Sequence, residues 1–221
     1  MIQLDRMCVK QGRFQLENIS LQVPSGNYAT LMGKTGAGKT TIIESICGLR
    51  PISSGQIVVG DRDVTRVPPA QRGIGYVPQD GALFPSMTVA QHLKFPLHVR
   101  RWTAKAQDDR VRELAALLHI EPLMERLPRG LSGGEVQRVA LGRALSFHPA
   151  VVLLDEPLSA VDDETRQQMY DLIARVRTHT RATFLHITHN TDEATELGDL
   201  HFLLNNGQII NRSTSPEAVV K

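Results

Sequence analysis

The segment GKTGAGKT, residues 33–40, constrains the fold of this chain more than any other stretch. It matches the pattern G-x-x-x-x-G-K-T and lies between an apolar, strand-like run at 28–32 and a helical stretch at 41–49. Glycines allow backbone N–H groups to wrap phosphates, a lysine supplies a point charge at the β- and γ-phosphates, and a threonine hydroxyl can ligate Mg²⁺. The segment therefore predicts a strand–loop–helix phosphate site. Its members are Gly33, Lys34, Thr35, Gly36, Ala37, Gly38, Lys39 and Thr40.

A second segment, VVLLDEP at 151–157, supplies acidic residues that suit the same site. Its continuous apolar run is typical of a parallel strand buried on both faces. Asp155 at the end of that strand would lie where α/β sheets bind ligands, and it could hold Mg²⁺ through water. Glu156 follows and could orient or deprotonate a water molecule. The alternative is that the two acids only initiate a helix.

A third segment, LSGGEVQRVALGRAL at 131–145, predicts a capped helix with an exposed, glycine-rich start. Ser132 and Glu135 have the spacing of a capping box, and the buried face would consist of Val136, Val139, Ala140 and Ala144. Gly133 and Gly134 weaken a helix by roughly 1 kcal/mol each relative to alanine. Two glycines in a first turn are expected where another group approaches the backbone closely. Since a helix N-terminus attracts anions, this end of the helix is a second candidate anion site. The alternative is a well-capped helix without further function.

The order of predicted elements indicates an α/β fold. Residues 1–32 are β-rich, with a phase slip near Asn18 that predicts a bulge. Hairpins are expected at 55–64 and 201–210, helices at 103–119, 163–178 and 191–197, a strand at 183–188, and a terminal helix in SPEAVV. These patterns predict a mostly parallel sheet, an N-terminal antiparallel β subdomain and an inserted α-helical subdomain. We expect one domain over 1–221, with the core at 1–84 and 136–221 and the helical subdomain at 85–135.

Composition and charge give no positive sign of nucleic-acid binding or of a membrane span. The formal net charge of +2 does not argue for nucleic acid, and Arg100 and Arg101 fit a solvated face better than a binding patch. No apolar run approaches the roughly 20 residues of a membrane span, and the N-terminus lacks the apolar core of a signal peptide. Cys8 and Cys47 have no metal-ligand spacing, so we expect reduced thiols in a cytosolic protein.

Six motifs in register resemble the ATP-binding subunit of ABC transporters. In chain order they read GKTGAGKT, YVPQD, LSGGEVQR, LLDEP, SAVD and ITHN, and the similarity covers nearly the whole chain. The stretch VPPAQRGIGYVPQDGALFPSMTVAQHL is similar to the importer branch that takes up molybdate, tungstate, sulfate and polyamines. The resemblance implies a P-loop NTPase core that binds ATP and Mg²⁺.

The resemblance also implies residue roles within one copy. Lys39, Thr40 and Thr41 would bind phosphates, and Gln79 would join Thr40 and Asp155 at the Mg²⁺. Gln79 would also sense the γ-phosphate and the attacking water, while Glu156 would be the catalytic base. His189 would contact the γ-phosphate, although a lone histidine after a strand is more often structural.

Other roles implied by the resemblance concern a second copy of the chain. Ser132, Gly133 and Gly134 would bind the γ-phosphate held by the partner's phosphate loop, and Asp162 would lie in the loop that communicates with the partner's site. Two copies would therefore sandwich two ATP molecules as a homodimer.

The sequence departs from the family pattern in three places. Gln11-Gly12 stands where an aromatic residue usually precedes glycine and stacks on adenine, and Phe14 is the nearest ring. Phe14 could stack on adenine or pack in the core. Asn190 follows His189 where aspartate is more usual, and 221 residues leave no room for the C-terminal regulatory domain of many relatives.

The expected function is ATP hydrolysis that drives solute import through a separate permease, with an oxyanion such as molybdate, tungstate or sulfate as the solute. Partners would be a second copy, the permease and, indirectly, a solute-binding protein, but no nucleic acid. The protein would be cytoplasmic and peripheral on the inner face of the membrane, and residues 82–89 would form part of a groove for a permease helix.

Alternatives are a non-transport ABC ATPase acting on nucleic acid or ribosomes, and a P-loop GTPase or small-molecule kinase. Co-purification with ribosomes would favour the first, and comparing ATP with GTP hydrolysis decides the second.

Overall fold

A computed structural model of the chain describes residues 1–12, 14–159 and 161–212. Its strands are β1 (Ile2–Gln11), β2 (Phe14–Val23), β3 (Tyr28–Gly33), β4 (Ser54–Val59), β5 (Arg62–Asp63), β6 (Ile74–Val77), β7 (Val151–Asp155), β8 (Thr183–Ile187), β9 (Leu200–Asn205) and β10 (Gln208–Asn211). Its helices are α1 (Lys39–Cys47), α2 (Val89–Val99), α3 (Ala104–Leu118), α4 (Gly133–Leu145), α5 (Asp163–Thr180) and α6 (Thr191–Leu197). Contacts divide the chain into two compact units. The first comprises Met1–Ile74, Ala150–Glu156 and the residues from Arg181 onward, and the second comprises Gly75–Pro149 and Pro157–Thr180.

A mostly parallel sheet forms the core of the first unit. Within this unit its strands follow the order β10-β9-β3-β8-β7, and β3, β8 and β7 run parallel. These three strands are apolar runs buried along almost their whole length, as expected for strands covered on both faces. Leu31 and Asp155 both pair with Ile187, so the carboxyl ends of the three strands lie level at one edge. That edge carries the segments that follow each strand.

The N-terminal strands of the first unit form an antiparallel sheet in the order β2-β1-β4-β5. Met7 pairs with Ile19 and Val9 with Leu16, so β2 holds one extra residue between these pairs. Asn18 lies there in the left-handed region, with φ of 55°, which confirms the predicted bulge. A second bulge lies on β1 at Arg6, where φ is 44°, and the hydrophobic pattern did not reveal it.

Most predicted turns and helices of the first unit are present. Val59 pairs with Arg62 and Asn205 with Gln208, so both predicted hairpins are confirmed. The predicted helix at 191–197 has the same bounds as α6. The short strand β6 was not predicted, and the expected helix in SPEAVV lies outside the described residues.

Four helices dominate the second unit, and α4 contacts α2, α3 and α5. Both ends of α4 are capped. Ser132 and Glu135 form the predicted capping box, and buried Arg110 donates to the carbonyls of Leu145 and Ser146 at the other end. The predicted buried face is correct for Val139, Ala140 and Ala144, whereas Val136 is only half-buried. The buried surface of α4 is broader than one stripe because neighbouring helices cover several sides.

The predicted α/β class is confirmed, with a mostly parallel sheet, an N-terminal antiparallel β part and an inserted helical part. The boundaries drawn at 84/85 and 135/136 stay a prediction. Within the described residues, no helix combines the length and the hydropathy needed to cross a membrane.

Two smaller expectations concern side chains. Cys8 and Cys47 are free, and burial raises the pKa of the Cys47 thiol to about 12, so that thiol stays protonated near neutral pH. Arg100 was predicted to be solvated, but its guanidinium lies 3.5 Å from the centre of the Phe147 ring. This cation–π contact makes Arg100 a packing residue.

Candidate functional site

The predicted phosphate loop connects β3 to α1 at the carboxyl edge of the parallel sheet. Residues 34–36 are exposed, so the loop backbone faces solvent at the start of a helix, where unpaired N–H groups attract anions. Gly38 is the N-cap of α1 and has φ of 105°, which side chains rarely adopt. A Cβ on Gly38 would lie 2.7 Å from Cζ of Phe14. The half-buried Phe14 ring therefore packs against the loop, while its role in adenine stacking stays a prediction.

Lys39 places a positive charge inside this loop. Its side chain is buried, and Nζ donates hydrogen bonds to the carbonyls of Gly33 at 2.8 Å and Lys34 at 3.1 Å. Burial lowers the pKa of Lys39, while the carboxylates of Glu156 and Asp155 act in the opposite direction. The ammonium group is thus held at the centre of the loop, close to two acidic residues.

Thr40 and Asp155 meet across 115 residues of sequence. The Thr40 hydroxyl donates to Oδ1 of Asp155 at 3.2 Å. Burial raises the pKa of Asp155, the hydrogen bond from Thr40 lowers it, and Glu156 and Glu44 raise it further. A hydroxyl and a carboxylate are oxygen donors of the kind Mg²⁺ uses together with substrate phosphates and water. Within the described residues there is no cluster of three or more His, Cys, Asp or Glu that could hold a metal alone.

Glu156 follows β7 in a strained backbone conformation. Its φ is 48°, and its N–H donates to the carbonyl of Ile187 at 3.0 Å. A non-glycine residue in this region costs of order 1 kcal/mol, and such strain concentrates at functional positions. The Glu156 carboxylate contacts Nε2 of His189, which follows β8. The structure therefore brings together two residues that were predicted to be catalytic.

Five predicted site residues belong to the second unit: Gln79, Ser132, Gly133, Gly134 and Asp162. Gln79 is exposed, its carbonyl accepts a hydrogen bond from Gln137, and its side chain lies 3.5 Å from the Ser159 hydroxyl. Ser132 and Gly133 are exposed at the start of α4. Asp162 is exposed at the start of α5. The functional roles of these residues stay predictions.

Gly134 has a structural reason inside the chain. It is buried, and a Cβ there would lie 2.5 Å from Cγ2 of Thr165 on α5. Thr165 is fixed, because its N–H and hydroxyl donate to the Asp162 carboxylate at 2.9 and 2.7 Å. A close approach to the backbone was predicted for Gly133 and Gly134. At Gly134 the approaching group is the Thr165 side chain of the neighbouring helix α5.

Replacing Gly134 by Ala should destabilise the protein by about 1–3 kcal/mol through overpacking. This corresponds to a fall in Tm of roughly 2–12 °C for a chain of this size. Thr165→Ser removes Cγ2 but keeps the hydroxyl that bonds Asp162, so the double variant should recover at least about 1 kcal/mol. Thermal unfolding of the two single variants and the double variant measures this coupling. If the loss of stability in the double variant equals the sum of the losses in the two single variants, the contact between positions 134 and 165 is contradicted.

The sequence did not reveal a buried polar pair on either side of His189 in the chain. Thr188 and Glu193 are both buried, and the Thr188 hydroxyl donates to the Glu193 carboxyl group. The spacing Asn190-x-x-Glu193 is that of a capping box, so a signal was present in the sequence. Nothing local indicated that the glutamate would be buried.

Comparison with known proteins points to one family. The sequence profile of the family described as "ABC transporter" matches residues 16–159. The chain is 40% identical over 197 residues to the molybdate/tungstate import ATP-binding protein WtpC of Thermococcus kodakarensis, which covers 89% of the chain and 60% of the relative. It is 36% identical to the spermidine/putrescine import ATP-binding protein PotA of Thermotoga maritima, over 91% of the chain and 55% of the relative. The chain thus spans about 60% of the length of such curated relatives.

A solved structure has the same fold. The dimeric ATP-binding cassette MJ0796, described as a post-hydrolysis state bound to ADP and Pi, aligns with a TM-score of 0.84 at 24% identity. The alignment covers 97% of this chain and 100% of that cassette. At this identity the likeness supports the fold.

Proposed function

Since this chain belongs to the ABC transporter family, we propose that it hydrolyses ATP as the ATP-binding subunit of a solute importer. One observation carries the proposal. Residues from three separate parts of the sequence meet at the carboxyl edge of one parallel sheet, with Thr40 bonded to Asp155 and Glu156 in contact with His189. Ligands bind at this edge in open α/β sheets.

The phosphate loop would hold the triphosphate. Backbone N–H groups of residues 33–38, the N-terminus of α1 and the Lys39 ammonium all provide positive potential there. The Thr40 and Thr41 hydroxyls would complete the contacts to the phosphates. Lys39 now donates to two loop carbonyls, so binding would exchange these bonds for charge-assisted bonds to phosphate oxygens.

Thr40 and Asp155 fit a magnesium ion bound with ATP. The ion would neutralise charge that develops on the phosphates. The Thr40 hydroxyl would bind it directly, and buried Asp155 would hold its water ligands. The raised pKa of Asp155 agrees with a carboxylate placed where a cation is needed.

Glu156 and His189 would carry the chemical step. Glu156 would accept a proton from the water whose oxygen bonds to the γ-phosphorus, while the bond to the β–γ bridging oxygen breaks. His189 would contact the γ-phosphate and hold the Glu156 carboxylate in place by the contact already present. Such positioning supplies most of the catalysis in phosphoryl transfer to water.

A second copy of the chain would complete each ATP site. Ser132 and Gly133 are exposed at the start of α4, where the positive end of the helix dipole favours an anion such as the γ-phosphate of the partner's ATP. Gly134 would contribute its backbone N–H, and Asp162 would lie in the loop that communicates with the partner. The dimeric cassette MJ0796 is consistent with this arrangement.

The permease would dock near residues 82–89. Phe84 is 41% exposed and Phe95 39%, and their rings contact each other edge to face at 5.5 Å. A patch of exposed aromatic rings is typical of an interaction surface. We infer a peripheral position on the inner face of the membrane through this permease, a solute-binding protein as an indirect partner, and an oxyanion as solute. The names of the relatives range from molybdate to spermidine, so an uptake assay has to decide the solute.

ATP hydrolysis by the purified chain with Mg²⁺ tests the proposal. Replacing Lys39 by Ala should weaken ATP binding by about 1.5–3 kcal/mol, or roughly 10- to 150-fold, because a charged hydrogen-bond donor is lost. Lys105→Ala removes an exposed lysine of α3 and should leave binding unchanged. Titration with a fluorescent ATP analogue measures both variants. Equal affinities of wild type and Lys39→Ala, or faster GTP than ATP hydrolysis, would contradict the proposal.

A further inference from the structure

A buried polar latch lies directly behind His189. We use this name for Thr188 and Glu193, which flank the turn from β8 into α6. Thr188 is 2% exposed and Glu193 is 4% exposed. Burying a carboxyl group costs several kcal/mol unless it is hydrogen-bonded, so its presence here needs a reason. The hydrogen bond from the Thr188 hydroxyl supplies part of that compensation.

The latch fixes the backbone on both sides of His189. The Thr188 Oγ1 accepts a hydrogen bond from the N–H of Asn190 at 3.0 Å while its own proton goes to Glu193. The Asn190 side chain in turn accepts from the N–H groups of Asp192 at 2.7 Å and Glu193 at 3.3 Å. In an ordinary capping box the third helical residue bonds the N-cap N–H directly. Here Glu193 reaches that N–H through the Thr188 hydroxyl, and His189 is the residue enclosed by the relay.

The other side of the latch faces a buried histidine of β8. His186 is fully buried, and burial lowers its pKa to about 3, so the ring is neutral. Its Nδ1 lies 2.9 Å from the Tyr28 hydroxyl, and its Nε2 lies 3.4 Å from the Glu193 carboxyl group. If the Tyr28 hydroxyl donates to Nδ1, the ring proton is on Nε2 and faces Glu193. The Glu193 carboxyl group is thus packed between the His186 ring of β8 and the Thr188 hydroxyl of the turn, which restricts its rotamers.

We propose that Thr188 and Glu193 are positioning residues that hold His189 against Glu156. This inference rests on the proposed ATPase function. His189 itself is exposed and would be free to rotate if the turn were loose. A displacement of about 1 Å at a reacting group can cost roughly 100-fold in rate. Loss of the latch should therefore lower kcat, whereas ATP binding through the phosphate loop should remain.

Replacing Thr188 by Val tests the latch, because valine keeps the shape and removes the hydroxyl. We expect kcat for ATP hydrolysis by the full chain to fall about tenfold, with KM for ATP within about twofold of wild type. Thr188→Ser restores a hydroxyl and should return kcat to within about threefold. Thr195→Val is the matched control, because Thr195 is exposed on α6 and its hydroxyl donates to the carbonyl of Thr191 on the same helix.

Glu193 gives an independent pair of variants if Thr188→Val does not fold. Glu193→Ala removes the acceptor and should lower kcat as Thr188→Val does, while Glu193→Gln keeps an acceptor oxygen and should stay within about threefold of wild type. The inference is overturned if the valine or alanine variant keeps wild-type kcat, if KM rises as much as kcat falls, or if the conservative variant fails to restore activity. A wild-type chain without ATP hydrolysis would instead contradict the proposed function.

Discussion

Replacing Glu156 by Gln should lower ATP hydrolysis by at least about 100-fold while ATP binding is retained. Glutamine has the same shape and can occupy the same strained backbone, where φ is 48°. It cannot accept a proton from water, so the chemical step loses its base. Lys39 and the loop still bind the phosphates, so ATP-bound dimers should accumulate.

Size-exclusion chromatography with and without ATP, together with a phosphate-release assay, measures both consequences. Glu196→Gln is a suitable control, since this glutamate is exposed on α6 and should leave both measurements unchanged. A Glu156→Gln variant with hydrolysis close to wild type would show that another group is the base. Loss of ATP binding in that variant would show that Glu156 acts on the nucleotide itself.

Replacing Ser132 by Arg should abolish ATP-dependent dimerisation and lower hydrolysis by about 100-fold, while each monomer still binds ATP. The arginine removes the N-cap of α4 and places a bulky side chain on the surface proposed to meet the partner's γ-phosphate. The phosphate loop of the same chain is unaffected. We therefore expect the Ser132→Arg variant to lose dimerisation while its monomer binds ATP as tightly as the wild type.

The loss of a helix cap alone costs about 1 kcal/mol and has to be separated from this effect. Thr103→Arg provides the comparison, because the Thr103 hydroxyl also accepts from the N–H of the third residue of its helix, and its position is exposed. Both variants should lose similar stability in thermal unfolding, but only Ser132→Arg should fail to dimerise. The contrast is sharpest in the Glu156→Gln background, where dimers accumulate. Dimers of Glu156→Gln/Ser132→Arg would exclude this surface from the dimer contact.

Local features of this chain are predictable because they depend on residues that are close in sequence. The glycines and Lys39 of the phosphate loop, the capping box of Ser132 and Glu135, and the bulge at Asn18 all follow from spacing of a few residues. Val136 was predicted to be buried but is only half-buried. A helical stripe indicates the direction of a side chain but not how completely neighbouring elements cover it. The strand β6 was missed because four residues carry too little pattern.

The sequence by itself determined the phosphate loop, the helix caps and most of the succession of strands and helices along the chain, since each of these arises from contiguous residues. The tertiary structure decided which distant residues meet. Parallel pairing of β3, β8 and β7 brings Thr40 to Asp155 and Glu156 to His189. These pairs depend on strand order and register, which are set by the burial of whole strands and are absent from any local pattern.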